Sequence, residues 1–213
     1  VIERCLVMRC GGLGIALGFD TSPEWFDTEA NPEFYECRDS IVRNCLVRDT
    51  HYAGIALYAS SRCLVMHNTV VNAAGGGQSP LFFGLAFHDW EEGVPRPGNT
   101  HAVVRNNIFV QSPKSDRAMV EIRYSDELGG MSALEGPIKL SHNCYFTPGK
   151  SPYYEDLRPG HEFEGDLAAW QKHMQGEQGS FVANPKLNKQ MHLEKASPCI
   201  QAGHRLKSVS DDY

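Results

Sequence analysis

The sequence predicts an all-β fold, a parallel β-helix of about five coils of short strands, with loop insertions and a short C-terminal helix. A phrase that returns along the chain is the first ground for it. Arg4-Cys5-Leu6-Val7 matches Asn44-Cys45-Leu46-Val47, and ten residues on Gly14-Ile15-Ala16-Leu17 matches Gly54-Ile55-Ala56-Leu57. Both matches sit at an offset of 40 residues, which marks an internal repeat. The second ground is what lies between the copies. Short β-branched or aliphatic runs alternate with Gly, Asn, Asp and Ser, the pattern of short strands joined by tight bends.

Taken in order, the phrase recurs as Asn68-Thr69-Val70-Val71, Asn107-Ile108-Phe109-Val110 and Asn143-Cys144-Tyr145-Phe146. The Gly-Ile-Ala-Leu segment returns as Gly84-Leu85-Ala86-Phe87 and, more loosely, as Met119-Val120-Glu121-Ile122. The shortest Asn spacing, 24 residues, is read as the basic turn, and longer spacings as turns carrying insertions at 19–38, 73–82, 90–99 and 126–136. A leucine-rich repeat needs a regular Leu ladder and an ankyrin or TPR unit needs helices; neither pattern is present. Asn44, Asn68, Asn107 and Asn143 are read as a structural column whose amides pair with neighbouring bends. Cys5, Cys45 and Cys144 are read as one column of small core residues, with a 5–45 disulfide left open. Near 166–175, Asp166 stands in cap position before apolar residues at helical spacing, which predicts a short helix covering an open end or side of the solenoid. The division expected is coils over 1–147 and a capping segment with an irregular tail over 148–213.

Composition sets the outer bounds. The 213 residues are 41% hydrophobic and 22% charged, ordinary for a globular chain, with a net charge of −6. That charge argues against a nucleic-acid partner, and no apolar run reaches the roughly 18 residues of a membrane span. Seven cysteines, none in a C-x-x-C pair, suggest neither a zinc site nor a closed disulfide framework. Val1-Ile2-Glu3-Arg4 carries no signal-peptide pattern, and the first coil has no cap. The expectation is a monomeric fragment whose upstream coils are missing.

The phrases Val42-Arg43-Asn44-Cys45-Leu46-Val47, Gly54-Ile55-Ala56-Leu57 and Arg105-Asn106-Asn107-Ile108-Phe109 resemble the right-handed parallel β-helix repeat of the pectate-lyase-like superfamily. The tail Phe181-Val182-Ala183-Asn184-Pro185-Lys186-Leu187, with Ser197-Pro198-Cys199-Ile200-Gln201-Ala202-Gly203, is similar to the closing segment of many secreted bacterial members. The resemblance implies an extracellular or periplasmic location and a polysaccharide or oligosaccharide partner. It leaves activity open, since the superfamily spans lyases, hydrolases, adhesins and tailspikes.

Strand alternation turns the repeat into a site expectation. With the large residues of the Gly-Ile-Ala-Leu strands inward, Ala16, Ala56, Ala86 and Glu121 face out. Gly18, Tyr58, His88 and Arg123 form the next column, and Asp20, Ser60, Trp90 and Ser125 a third. An extended glycan would lie on this face, with Trp90 stacking on a sugar ring and Trp25, Phe26, Asp89, Glu91 and Glu92 forming walls. His51 is a further candidate from the bend before the second strand. The same columns also suit a solvated surface, with Glu121 and Arg123 as an ion pair. Asp89, Glu91 and Glu92 are candidate oxygen ligands for Ca²⁺; no other cofactor is expected. Three functions remain. A glycoside hydrolase would use Glu121 with Asp89 or Glu91 as its carboxyl pair. A polysaccharide lyase would use Arg123 to neutralise a uronate, with His88 or Tyr58 as base or acid. A non-catalytic carbohydrate-binding or adhesion solenoid would use neither. The acidic balance leans the reading toward hydrolysis of a neutral polysaccharide.

Overall fold

The computed structural model describes residues 1–86, 96–128 and 130–205. It is all-β in character, with three stacks of parallel strands and, among the described residues, one α-helix. The chain visits the stacks in rotation, an arrangement consistent with a β-helix-like solenoid. The first sheet holds Ile2–Glu3, Ile41–Arg43, Leu64–Met66, Val103–Arg105 and Lys139–Ser141. The second holds Leu6–Met8, Leu46–Arg48, Thr69–Val71, Ile108–Val110, Cys144–Phe146 and Phe181–Val182. The third holds Ile15–Leu17, Ile55–Tyr58, Leu81–Gly84, Val120–Ile122 and Tyr154–Asp156, closed by the antiparallel Phe163–Gly165. Strands therefore continue past residue 147 into all but the first of these stacks.

In the first two sheets the strands bury mainly one face and the sequence alternates to match, whereas Ile55–Tyr58, Leu81–Gly84 and Val120–Ile122 of the third are buried on both. Val42, Val65, Val104 and Leu140 point inward from the first sheet, and Val47, Val70, Phe109 and Tyr145 from the second. Ile55, Leu57, Leu81, Phe83, Val120 and Ile122 line the third, all fully buried. The lower core changes character. Phe109 stacks on Tyr145, whose edge meets Tyr154, which stacks on Trp170 of the helix Leu167–Met174. Asp166 caps that helix by accepting from Ala169 N at 2.9 Å, and Gln175 ends it in the left-handed conformation. The helix thus seals its side of the solenoid with aromatic area.

Between first and second sheets each coil turns on one residue of positive φ: Arg4, Asn44, His67, Asn106 and His142. Left-handed backbone costs an L-residue roughly 1–2 kcal/mol, least for Asn. At three of these five corners the following residue offsets it. Asn68, Asn107 and Asn143 are buried and form a continuous amide ladder. Cys45 N donates to Asn68 Oδ1, Asn68 N and Nδ2 to Asn107 Oδ1, and Asn107 N and Nδ2 to Asn143 Oδ1, each at 3.0 Å. Asn143 Nδ2 in turn donates to the buried Glu177, which also accepts from Tyr145 Oη at 2.6 Å.

Register corrects the expected columns in three places. Val47 stands on Val70, so the shortest turn is 23 residues and Asn44 belongs with His67, not with Asn68. Cys45 then shares the column of Cys5 and Asn68, whereas Cys144 stands with Leu46. In the third sheet Leu81-Phe82-Phe83-Gly84, not Gly84-Leu85-Ala86-Phe87, pairs with Ile55–Tyr58. Residues 81 and 82, expected in an insertion, are strand. The cause is common to all three: matching by Asn or Gly identity competes with large-inward alternation, and burial decides.

Two loops are anchored from within. The 19–36 segment closes on Glu36, which accepts from Thr21 N and Oγ1 at 2.7 Å and pairs with the buried guanidinium of Arg96. Asn99, fully buried, accepts from Ser60 N and Oγ and donates to Ala133 O.

Candidate functional site

The outward face of the third sheet carries a row in strict register: Ala16, Ala56, Phe82, Glu121 and Glu155. Beside it run Tyr58, Gly84 and Arg123. The upper half is apolar. Tyr58 and Phe82 rings lie 5.9 Å apart, packed with Ala53, Ala56, Ala59 and Ala86, and Phe19 meets the Tyr58 ring edge-on at 5.5 Å. Gly84 is required there, because a Cβ would meet Tyr58 Cε1 at 2.2 Å. Burial pushes the Tyr58 phenol up to about 12, and Gln78 Nε2 donates to its oxygen at 3.1 Å.

The lower half is acidic. Glu121 is nearly buried, at 7% exposure, and its two oxygens are separately engaged. Arg123 Nη1 donates to Oε1 at 3.1 Å, and the buried Ser79 Oγ donates to Oε2 at 3.3 Å. Glu155 stands next to Glu121 on the adjacent strand and opposite Glu164 on the antiparallel one. Its carboxyl is raised above the ordinary range, first by burial and then by the charges of Glu121 and Glu164, with Arg123 opposing. Gln78 and Ser79 are consecutive, so one turn orients both Tyr58 and Glu121.

Of the residues expected from the sequence, Glu121 and Arg123 are brought together and Tyr58 lies on the same face, though buried at 5% exposure. Gly84 takes the place expected for His88 beside Tyr58, and Phe82 the place expected for Ala86. His88, Asp89, Trp90, Glu91 and Glu92 lie outside the described residues. Asp20 sits near the Glu36–Arg96 pair, where burial lowers the Arg96 pKa against the opposing charges of Glu36 and then Asp20. His51 is exposed at the corner between second and third sheets, against Tyr52 and over Gly76. Glu155, Ser79, Gln78 and Phe82 were not expected. The signal for Glu155 was present in Tyr154-Glu155-Asp156, but it lies beyond the last repeated phrase.

A separate groove of about 350 Å³ runs between the Asn corner and the C-terminal tail, lined by His67, Asn106, His142, Cys144, Cys199 and His204 among others. Part of its polar edge is taken up by the chain itself: Asn106 donates to His204 O and accepts from His204 N, both at 2.8 Å. The tail forms one of its walls. Among the described residues, no three His, Cys, Asp or Glu side chains are gathered closely enough to hold a metal ion, and no helix is long and apolar enough to cross a membrane.

What the acidic row can do follows from these contacts. Two neighbouring carboxyl groups, one engaged by a guanidinium and a hydroxyl, the other half-buried and raised, are differentiated in the manner that separates an acid from a base or nucleophile. Compared with protein-family models, curated proteins and solved structures, the chain matches none.

Proposed function

We propose that this chain is a polysaccharide-processing member of the pectate-lyase-like right-handed β-helix superfamily, acting as a glycoside hydrolase on a glycan laid across the third-sheet face. The observation that carries the reading is the Glu121–Glu155 pair in adjacent register with unlike surroundings. In the proposed chemistry Glu155 is the general acid, protonating the glycosidic oxygen, and Glu121 is the carboxylate across the bond. Parallel strands stand about 4.8 Å apart, close to the roughly 5–5.5 Å separation of retaining enzymes. Glu121 is therefore the nucleophile, with Arg123 and Ser79 orienting it. Tyr58 and Phe82, both buried, support this face as packing beneath it.

Hydrolysis is favoured over β-elimination because Arg123, the cation that would neutralise a uronate, is paired with Glu121 and flanked by Glu155. Burial of Tyr58 favours a second reading, a non-catalytic carbohydrate-binding solenoid in which this face is structural.

A panel of neutral and acidic polysaccharides separates these. New reducing ends without unsaturated-uronide absorbance are expected on a neutral glycan. Glu155→Gln and Glu121→Gln are each expected to lose on the order of 100-fold or more in kcat/KM with the fold unchanged. The general acid must be protonated, so kcat/KM falls as pH rises through the elevated Glu155 pKa, and that limb should vanish in Glu155→Gln. Full activity in both variants would remove the pair from the reaction, and binding without turnover would leave the solenoid reading.

A further inference from the structure

The cysteines belong to none of the chemistry above, and one pair of them is placed to react. Cys37 lies in the strand Cys37–Arg38, which pairs in parallel with Ser60–Ser61. Two residues after that partner strand comes Cys63, in the column of Ser40 at the entry to the first sheet. The chain therefore turns the same corner on adjacent coils, and the two thiols meet inside it. Their sulfurs are 3.9 Å apart, with Cys63 fully buried and Cys37 half-buried against the same core.

We propose that Cys37 and Cys63 are a dithiol modification site, which a small-molecule disulfide of the glutathione class converts to an intrachain disulfide that fastens the 19–38 insertion to the coil beneath it.

A covalent S–S spacing is about 2 Å, so rotation about side-chain bonds must close the remaining gap. The roles of the two sulfurs are already unequal. Hydrogen bonding from Cys63 lowers the Cys37 thiol to about 6 against the opposing effect of burial, whereas Cys63 is raised by the same contact and by burial. Cys37 is the partly accessible one, so it is the attacking thiolate. It displaces one thiolate from the external disulfide and forms a mixed disulfide. Cys63 then attacks the Cys37 sulfur and expels the second external thiolate, which takes up the Cys63 proton and leaves as a thiol. Two protein thiols and one external disulfide become one protein disulfide and two external thiols. The bond would restrain the segment that carries Phe19 against Tyr58 and Glu36 against Arg96, and it stands independently of the carbohydrate reading.

The test uses the purified full chain, incubated with glutathione disulfide, then denatured, alkylated without reduction and peptide-mapped. A peptide linking Cys37 to Cys63, lighter by two hydrogens, is expected while the exposed Cys5 remains alkylatable. Tm should rise by on the order of 10 °C, reversibly with dithiothreitol. Cys63→Ser should show neither change; should that variant not fold, the wild-type peptide map decides alone. Full alkylation of both thiols, or Cys37 trapped with glutathione beside an alkylated Cys63, would overturn the proposal. A linked peptide with unchanged Tm would overturn the fastening.

Discussion

Asn107 shows how much one side chain holds at a coil corner. Its Oδ1 accepts from both Asn68 N and Asn68 Nδ2, and its own amide nitrogen donates to Val65 O and Asn143 Oδ1. Asn107→Ala leaves the buried Asn68 N–H without its acceptor, an expected loss of about 2 kcal/mol. Asn107→Asp retains the acceptor but sets a carboxylate against Asn143 Oδ1, and is expected to be at least as harmful. Urea denaturation checks both, and an Asn107→Ala midpoint within experimental scatter of wild type would show that the ladder holds nothing. The ladder's existence was legible, because Asn recurs before each apolar run. Its membership was not: Asn44 precedes Cys45 where His67 precedes Asn68, a slip of one residue that only the inward Val47 and Val70 resolve.

At the scale of elements, the helix is held by a charge clasp. Asp156, its side chain fully buried, accepts from Arg158 Nε and Nη2 at 2.9 and 2.7 Å, and lies 2.9 Å from His173 Nε2 of the helix. Phe163 and Trp170 stack on the His173 ring. Burial would raise the Asp156 pKa; the hydrogen bonds of Arg158 and then His173 outweigh it and lower it. A carboxyl lowered by folding contributes stability in full above its unfolded value of about 4, lost as pH falls through the folded value. Asp156→Asn is expected to cost about 3 kcal/mol near neutral pH and to flatten the acid limb of stability. Denaturation midpoints at neutral pH and below about pH 3 measure it; an equal drop at both pH values would refute the clasp. Glu177 has the opposite sign, since burial raises it and its contribution worsens as pH rises through the elevated value. The helix itself was readable from Asp166 and the spacing of Leu167, Trp170 and Met174. The clasp was not, because Asp156 and His173 meet only through the antiparallel return of Phe163–Gly165.

For the whole molecule, stacking makes stability a matter of neighbouring coils, and the tail adds a lengthwise tie. Asn106 holds His204 across 98 residues of sequence. Asn106→Ala is expected to free the tail to protease without shifting the main unfolding transition, read by limited proteolysis with mass analysis. Cleavage at the wild-type rate would show that the groove retains the tail by other contacts. The candidate site also belongs to this scale, for it is assembled from five coils and no single segment contains it.

Local periodicity by itself determined the strand class, the parallel stacking and the capping helix, because alternation, turn residues and an N-cap act within a few residues of chain. Tertiary packing decided the register of the third sheet, the pairing of Glu121 with Glu155 and the meeting of Cys37 with Cys63. Each depends on which residues stand one coil apart, and insertions of unequal length hide that interval until the large side chains are buried.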